Sequence, residues 1–535
     1  MKQSADLKRL LTSIDHKSYP AYKDVRGAYD FNTYILSIDH VQGDPFASPS
    51  KVSVQVRHAK AGFPAELFDT PWKKTALEDY LLRCFSREIG RLSFKAKGSG
   101  KSGLIATSRP GQEVLSRTAC EIGRNEITAR FEVGFPAFGR TINSGELIRI
   151  FFDFLPGCVE NVFFYRRQNN AEIKKRITLA DDQQFIRNEL KRLDLVSFVA
   201  DGSILPRETG VSDRPMKGSV AFHSPDSLRI TLNLPGHGPI SGMAIHRGIT
   251  LIVGGGYHGK STLLKALESG VYNHIPGDGR EYVITDETAV KLRAEDGRSI
   301  NHVDISLFIR DLPNKKDTTC FSTADASGST SQAAAVIESI EAGTRAFLID
   351  EDTSATNFML RDDLMQRIVS RDKEPITPFI ERARDLYKQA GISTVLVAGS
   401  SGAYFFIADT IIQMDAYRPF DITEMVKNAC EQEASKPAIQ APGFKLPTAG
   451  RKLAAGGTGR AVGAMALNFG DSRAEAGGES QEEGENSGRS GRFGNRGGSA
   501  SDAGRFERGR GGRREADRNA PRGGARFAPS VRTEG

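Results

Sequence analysis

The chain has 535 residues, too many for one ordinary hydrophobic core, so its length predicts two to four domains. With 39% hydrophobic and 26% charged residues, the composition is typical of a soluble globular protein. No stretch approaches the roughly 18 apolar residues of a membrane-spanning helix. The five cysteines lie far apart and form no CxxC pair. They indicate reduced thiols, neither a disulfide framework nor a zinc site.

The positive charge of the chain is concentrated near its C-terminal end. Residues 451–535 hold 15 Arg and 1 Lys against 11 Asp and Glu, and they contain 20 of the 55 glycines. This segment therefore carries +5 of the formal net charge of +7. Any argument from net charge for nucleic-acid binding is an argument about this segment.

Residues 1–170 have the pattern of a compact α/β domain. Apolar residues at helical spacing predict helices over 6–14 and 75–89. Alternation of polar and apolar residues predicts strands over 51–57 and 127–135.

A glycine-rich basic segment, residues 95–103, lies between these elements. Its Gly98 to Ser102 stretch resembles the end of a nucleotide phosphate loop. However, Lys95 stands where the first glycine belongs, and no clear apolar strand immediately precedes the segment. We interpret it as a basic glycine turn that does not bind a triphosphate, although its lysines are suited to contact nucleic-acid phosphates.

The next two segments are a connector and a second α/β domain. Residues 171–219 are predicted as a helical connector containing a helix over 180–195, and residues 220–432 as a P-loop domain. Short β-branched apolar runs alternate there with helical stretches, which is typical of strands buried on both faces of a parallel sheet. These runs are 249–253, 346–349 and 393–398.

The strongest motif fits the pattern GxxxxGK[ST]. It consists of Gly254, Gly255, Gly256, Tyr257, His258, Gly259, Lys260, Ser261 and Thr262. The motif follows an apolar strand and opens a helical stretch, so backbone N–H groups and a helix N-terminus can surround phosphate. We predict that Lys260 contacts the β- and γ-phosphates of ATP and that Ser261 ligates Mg²⁺. For His258, packing or solvent exposure is a simpler reading than a phosphate contact.

The second motif is the apolar run 346–349, which ends in three acids, Asp350, Glu351 and Asp352. Such a buried strand presents carboxylates at its C-terminal edge. We predict that Asp350 holds Mg²⁺ through water and that Glu351 is the catalytic residue that orients or polarises the attacking water. The alternative is a buried strand that runs into an acidic turn. The phosphate-loop motif about 90 residues upstream favours the catalytic reading.

The third motif is a loop of small residues, Ser327, Gly328 and Ser329, which precedes a helical stretch over 333–341. It would form a second anion-binding helix N-terminus in the same domain. The loop is similar to the signature segment of ABC ATPases, where a Ser-Gly loop of one subunit covers the γ-phosphate held by another.

Longer motifs, spread over roughly residues 5–427, resemble those of one protein family. The motifs are 40–49 (HVQGDPFASP), 110–115 (PGQEVL), 134–140 (GFPAFGR), 254–264 (GGGYHGKSTLL), 272–280 (YNHIPGDGR), 326–332 (ASGSTSQ) and 350–359 (DEDTSATNFM). They resemble the predicted ABC-class ATPases. That family is soluble, lacks membrane domains and includes a kinetoplastid mitochondrial factor associated with RNA editing.

The resemblance implies an N-terminal α/β domain joined to an ABC-type nucleotide-binding domain. It also implies a head-to-tail homodimer that binds two ATP molecules at its interface. Lys260 and Glu351 would keep the roles argued above, while the loop at Ser327 and Gly328 would act across the dimer.

One departure concerns the switch histidine that ordinary ABC ATPases carry after the strand that follows the acidic one. Here the strand over 393–398 is followed by Gly399, Ser400, Ser401 and Gly402, without a histidine. In the family an acid often occupies the position of Ala403. Hydrolysis is therefore expected to be slow, with Ser400 or Ser401 as weak substitutes.

Residues 433–535 form a low-complexity segment that is predicted to be disordered. It carries three RGG triplets beginning at Arg496, Arg510 and Arg522, and phenylalanines beside arginines. Arginine pairs with phosphate and stacks on bases, so the segment predicts binding of RNA or another single strand. The alternative is a solvated linker whose acids weaken its positive charge.

These observations lead to one principal hypothesis and two alternatives. The first is a soluble, cytoplasmic, ABC-type ATPase that uses ATP and Mg²⁺, dimerises, and couples hydrolysis to RNA through the tail and a basic surface. The second is a nucleotide-gated scaffold with negligible turnover that recruits RNA or protein partners. The third, the ATPase arm of a transporter, is the weakest, because nothing in the chain is predicted to span a membrane and the arginine-rich tail suits another partner.

Overall fold

The structure is a computed structural model that describes residues 1–361, 368, 373–399, 401–432, 441, 443 and 446. The described residues belong to one compact unit, Met1–Leu453. The segment predicted to be a disordered, RNA-binding tail lies outside the described residues except at three positions.

The N-terminal half combines a sheet with helices on one side. Its strands are β1 (Lys2–Gln3), β2 (Gly27–Asp30), β3 (Ile35–His40), β4 (Ser50–Arg57), β5 (Ile105–Ala106), β6 (Glu113–Val114), β7 (Cys120–Ile122), β8 (Glu126–Val133), β9 (Ala137–Phe138) and β10 (Thr141–Ile142). Its helices are α1 (Ser4–Ser13), α2 (His58–Ala61), α3 (Pro71–Gly90), α4 (Ser144–Ile148), α5 (Leu155–Phe163) and α6 (Asn170–Arg192), and a π-helical turn, Arg149–Phe154, joins α4 to α5.

Seven of these strands form one sheet in the order β1-β2-β3-β4-β8-β5, with β7 also paired to β8. All of its pairings are antiparallel except β1 with β2. The alternation in β4 buries Val52, Val54 and Val56, and helix α3 buries Leu81 and Phe85 in the same core. The helices and strands predicted for residues 1–170 are thus confirmed, with slightly longer helices.

Helix α6 begins ten residues before the predicted start at residue 180. The side chain of Asn169 accepts a hydrogen bond from the backbone N–H of Glu172 at 3.2 Å and caps the first turn. Asparagine at this position satisfies a backbone donor that the helix itself leaves unpaired. The local capping residue therefore sets the start of α6, which the apolar spacing alone did not locate.

The C-terminal half contains two larger sheets. Its strands are β11 (Leu195–Ala200), β12 (Arg229–Leu234), β13 (Gly238–His246), β14 (Ile249–Val253), β15 (Asn273–His274), β16 (Val283–Thr285), β17 (Val290–Leu292), β18 (Ile300–Val303), β19 (Phe321–Thr323), β20 (Ala346–Asp350), β21 (Ser393–Val397), β22 (Thr410–Asp415) and β23 (Arg418–Asp421). Its helices are α7 (Lys260–Ser269), α8 (Gly328–Glu341), α9 (Thr356–Met359), α10 (Phe379–Ala390) and α11 (Thr423–Gln432).

The six-stranded sheet has the order β17-β20-β21-β14-β22-β23 and is parallel except between β22 and β23. The central strands β14, β20 and β21 are almost continuously buried, as expected for strands covered on both faces. The three predicted apolar strands are therefore confirmed. Because they run parallel, their carboxyl ends meet at one edge of the sheet.

The four-stranded sheet is antiparallel, with the order β12-β13-β11-β16, and α6 packs against it. The segment 171–219, predicted as a helical connector, thus contains most of α6 and also strand β11, whose six residues are all buried. Within the part of the chain that the structure describes, no helix is both long enough and apolar enough to cross a membrane.

A two-stranded antiparallel sheet connects the two halves of the molecule. Strand β6 of the N-terminal half pairs with β15, with Glu113 opposite His274 and Val114 opposite Asn273. The backbone N–H of Ile275 extends this pairing by donating to the carbonyl of Gln112 at 3.0 Å. The residues that follow helix α7 are therefore hydrogen-bonded directly to the N-terminal half.

Candidate nucleotide-binding site

The phosphate loop, defined here as residues 254–259, leaves the carboxyl end of β14 and leads into α7. Strand β14 lies between β21 and β22, and its Ile252 pairs with Val397 and Ile412. Val397 in turn pairs with Asp350 at the end of β20. The sheet register thus brings the phosphate loop and the acidic segment to the same edge.

Glycines give this loop a backbone that other residues would not adopt easily. Gly254 has φ +140°, and a Cβ atom there would lie 2.3 Å from the carbonyl oxygen of Met414. Gly259, at φ +100°, forms the N-cap of α7, and its absent Cβ would lie 3.1 Å from the ring of Tyr417. A side chain at either position would collide with the neighbouring turn or strain the backbone.

The N–H groups of the loop are available to a ligand. Within the described part of the chain, the backbone N–H groups of residues 255–259 have no hydrogen-bond partner. The ammonium group of Lys260 lies over the loop and donates to the carbonyls of Gly254 at 2.7 Å and Gly255 at 2.9 Å. The loop therefore offers backbone donors and one cation at the N-terminus of a ten-residue helix.

The turn between β22 and β23 supports the loop from one side. His258 Nδ1 lies 2.8 Å from a carboxylate oxygen of Asp415 and 3.1 Å from the backbone N–H of Ala416. Tyr417 donates its backbone N–H to the carbonyl of His258 at 3.2 Å. Ala416 and Tyr417 both have positive φ, an uncommon backbone for such residues. His258 thus packs against a strained turn, which agrees with the simpler of its two readings.

The acidic segment lies at the end of β20. Asp350 is 7% exposed, and its carboxylate accepts the backbone N–H of Asp352 at 3.3 Å. A carboxylate oxygen of Glu351 accepts the backbone N–H of Gly399 at 2.7 Å, directly after β21. The carboxylate of Glu351 is therefore hydrogen-bonded to the segment directly after β21, where ordinary ABC ATPases carry the switch histidine. Ser400, one of the two predicted substitutes for the switch histidine, lies outside the described residues.

Helix α8 begins at Gly328, directly after Ser327 and five residues before the helical stretch predicted over 333–341, so Gly328 and Ser329 belong to its first turn. Ser327 is the N-cap residue, and its hydroxyl lies 2.9 Å from that of Thr330. Gln332 connects this helix to the acidic segment, because its amide donates to Ser354 at 3.0 Å and accepts the N–H of Ala355 at 2.9 Å. Ser327, Gly328 and Ser329 are not among the residues that line the cavity at the phosphate loop.

That cavity has a volume of about 1060 Å³, enough for a nucleotide. Its polar end contains most of the phosphate loop together with Lys260, Ser261 and Thr262. Several further lining residues come from distant segments that sequence reasoning missed. These are Tyr417 and Met414 from the β22–β23 region, segment 205–222 in part, and Gln112 and Glu113 from the N-terminal half. Asp352 also lines the cavity, whereas Asp350 and Glu351 do not.

A buried polar cluster forms part of the cavity wall, which Arg207, His274 and Arg280 line. His274 Nδ1 is 2.5 Å from the carboxylate of Asp278, and Arg207 donates to the same carboxylate at 2.8 Å. Burial would raise the pKa of Asp278, but hydrogen bonds and charge from His274 and Arg207 outweigh it, so this pKa is lower than usual. Burial lowers the pKa of Arg280 to about 10, and its guanidinium donates to Ser269 at 2.8 Å. The cluster fixes the chain between α7 and β16.

A parallel strand, a glycine loop with free N–H groups and a helix define a P-loop nucleotide-binding domain. Comparison with known families gives the class. Residues 169–446 match the P-loop domain of the ABC ATPases, and residues 4–166 match the family described as ATPase of the ABC class N-terminal. The chain therefore belongs to the ABC-class ATPases, as the sequence motifs predicted. Its architecture, an N-terminal α/β domain followed by a P-loop ABC-type domain, is also confirmed.

Similar proteins add little about function. The uncharacterized protein MJ1628 of Methanocaldococcus jannaschii is 31% identical over 229 residues, which cover 41% of this chain and 50% of that protein. The chain thus spans about half the length of this relative.

Among solved structures, cbiO1 from Clostridium perfringens, part of the ABC transporter complex cbiONQ, has 13% identity and a TM-score of 0.28. The match covers 44% of this chain and 92% of that one. MJ1267, an ATP-binding cassette of an ABC transporter in its ADP conformation, has 13% identity and a TM-score of 0.25. It covers 36% of this chain and 88% of that one.

The residues present fit ATP and Mg²⁺, which P-loop domains of this class generally bind. The loop supplies backbone donors and Lys260 supplies a cation for phosphate. The exposed Ser261 hydroxyl and the carboxylate of Asp350 are oxygen donors of the type that Mg²⁺ prefers.

Proposed function

We propose that this protein binds ATP with Mg²⁺ at the phosphate loop and hydrolyses it in a head-to-tail homodimer that acts on RNA. The observation that carries the ATP-binding part is the set of unpaired N–H groups at residues 255–259, with Lys260 lying over them. These donors form no intrachain bonds among the described residues, so a bound triphosphate would satisfy them without breaking any.

Each proposed role follows from the position of the side chain. Lys260 would exchange its two carbonyl partners for the β- and γ-phosphates, and Ser261 and Asp350 would hold Mg²⁺. The metal ion, when bound, neutralises charge that develops on the phosphates. Glu351 orients the attacking water, and its bond to the N–H of Gly399 holds the carboxylate in place. The remaining loop residues surround the phosphates.

The small-residue loop supports the proposed dimer. Ser327 precedes a 14-residue helix that begins with Gly328 and Ser329, and none of the three lines the cavity of their own chain. In a head-to-tail dimer they would instead face the γ-phosphate bound by the partner. Two copies would then complete two sites, and ATP would favour the closed dimer.

The arginine-rich sequence of residues 433–535 supports RNA as the substrate on which the dimer acts. A segment of this composition would raise the local concentration of RNA near the folded domains. The five cysteines, which form no disulfide in the structure, support a reducing compartment such as the cytoplasm.

A second candidate is a nucleotide-gated scaffold with negligible turnover. The specific observation in its favour is that no histidine follows strand β21 between residues 398 and 409. In this alternative ATP only stabilises the dimer, and the tail recruits RNA or a protein partner.

Steady-state ATPase activity, with and without RNA, tests the proposal. We expect Glu351→Gln to bind ATP normally, to hydrolyse it at least about 100-fold more slowly and to accumulate as a dimer with ATP. Glu424→Gln, at an exposed glutamate of α11, is the matched control and should behave like wild type. Wild-type turnover in Glu351→Gln would contradict its role. Tight ATP binding without turnover in the wild type would favour the scaffold.

A further inference from the structure

The second glycine loop, residues 95–103, is held against two other segments of the N-terminal half. Lys101 donates its backbone N–H to the carbonyl of Pro45 at 2.8 Å, and Ser99 donates its own to Ala137 at 2.8 Å. Ser99 also accepts the N–H of Gly139 at 2.9 Å on its hydroxyl oxygen. The loop, segment 44–47 and the β9–β10 hairpin therefore form one fixed surface.

Three phenylalanines project from this surface. Phe46, Phe94 and Phe138 are 63%, 54% and 59% exposed, and they include all but one of the phenylalanines with exposed side chains in the described residues. Phe46 lies against Gly100, and Phe94 has φ +61°, an uncommon backbone for an aromatic residue. Isolated exposed apolar residues are normal, but three aromatic rings on one surface need an explanation.

Basic side chains belong to the same segments as the three rings. Lys95 and Lys97 of the loop are exposed, Lys101 is half-buried, and Arg140 is 82% exposed at the end of the hairpin. Two acids are nearby: Asp44 pairs with Arg140 at 3.0 Å, and Glu146 accepts the backbone N–H of Lys97 at 3.1 Å. The surface therefore keeps an excess of positive charge. We call it the aromatic–basic patch; it comprises Phe46, Phe94, Lys95, Lys97, Lys101, Phe138 and Arg140.

We propose that the aromatic–basic patch binds single-stranded nucleic acid, with unpaired bases stacked on the phenylalanines and the backbone along the lysines and Arg140. An apolar protein partner would leave the basic side chains without partners. In a duplex the bases stack on one another, so their faces are not available to the phenylalanine rings. Charge complementarity and exposed aromatic rings together therefore identify a single strand as the occupant.

This inference deepens the RNA-coupled part of the proposed function and places a binding surface on the folded N-terminal half, apart from the tail. It also gives a role to the glycine loop that does not bind a triphosphate. Because its backbone donors already bond to other segments, the loop contributes its side chains, which project from a rigid support.

Fluorescence anisotropy with a labelled oligouridylate of about 12 nucleotides, on the full-length chain, tests the patch. We expect Phe46→Ala, and separately Phe138→Ala, to weaken binding about 5-fold or more at constant salt dependence. The change Lys95→Ala with Lys97→Ala should lower the slope of log affinity against log salt by about 0.7 per lost phosphate contact. Phe420→Ala, an exposed phenylalanine on β23, and Lys174→Ala, on α6, are matched controls.

Any RNA binding by the tail is the same in every variant, so the test compares the RNA affinity of each patch variant with that of its control. Equal RNA affinity in the wild-type chain and in the patch variants would overturn the proposed patch, while the proposed ATPase activity would be unaffected. Preference for a blunt duplex of the same length would also overturn it. If the wild-type chain binds neither form, the RNA part of the proposed function fails as well. ATP hydrolysis without RNA should be unchanged in the patch variants.

Discussion

The chain contains two glycine-rich loops with similar Lys-Ser endings, and they differ in how their backbone donors are used. In the phosphate loop, residues 255–259 keep their N–H groups unpaired within the described structure. In the second glycine loop, Ser99, Lys101, Ser102 and Gly103 all donate to carbonyls of the protein. Two similar sequences thus give one loop whose backbone N–H groups are available to a ligand and one whose N–H groups are mostly bonded to neighbouring segments.

The reason lies in the elements on either side. The phosphate loop comes from a buried parallel strand and enters a helix, so its donors point along the helix axis and away from the sheet. The second glycine loop follows the end of α3 and packs between two neighbouring segments, whose carbonyls accept its donors. A glycine motif predicts phosphate binding only together with the strand and helix that frame it.

The largest difference between the two loops should be seen in ATP affinity when the lysine at the end of each loop is replaced by alanine. We expect Lys260→Ala to weaken ATP binding at least about 100-fold, because a charge-assisted contact to phosphate is lost. Lys101→Ala should leave ATP binding unchanged within about 2-fold. Titration calorimetry measures both. Equal losses in the two variants would contradict the distinction between the loops.

A further effect is expected on stability, from Gly103 of the second glycine loop and from Gly139 of the β9–β10 hairpin against which the loop packs. A Cβ on Gly103, at φ +78°, would lie 2.1 Å from the carbonyl oxygen of Ala96, so Gly103→Ala should cost about 2 to 4 kcal/mol. Gly139 has φ +59° and no atom within 4 Å of an added Cβ, so Gly139→Ala isolates the backbone strain, about 1 kcal/mol. Chemical denaturation gives both values. A similar cost for the two changes would show that packing around Gly103 is unimportant.

The smallest effect is local and concerns amide hydrogen exchange. The amides of Ser99, Lys101 and Gly103 should exchange slowly with or without ATP, because they are hydrogen-bonded in both states. The amides of residues 255–259 should exchange quickly in the free protein and slow down when ATP binds. Mass-spectrometric exchange measurements compare the two loops in one sample. Slow exchange of 255–259 without nucleotide would mean that the loop has partners of its own.

Much of the fold was predictable because burial and periodicity agree within each element. The runs around Leu251 and Leu348 are apolar and β-branched, and they form the predicted parallel strands. The alternation around Val54 gives the predicted antiparallel strand. The start of α6 at Asn170 was not predicted, because the capping side chain of Asn169 sets it and apolar spacing does not. The assignment of β11 to the second sheet was not predicted, because strand pairing depends on contacts distant in sequence.

The candidate site was predictable where local motifs define it and unpredictable where distant segments meet. The phosphate loop and the helix after Ser327 lie where their motifs indicated. Tyr417 and Glu113 reach the same cavity from segments about 160 residues beyond and 140 residues before the loop, without a motif of their own. Their catalytic or binding roles remain predictions, as do those of Lys260 and Glu351.

The pairing of β6 with β15 has a consequence for synthesis of the chain. Strand β6 leaves the ribosome about 160 residues before β15, which corresponds to roughly 8 to 32 s of translation at about 5 to 20 residues per second. The N-terminal half can fold in that interval and present β6 as a ready template. The segment after α7 then pairs with β6 as it emerges, so the order of synthesis guides assembly of the candidate nucleotide site.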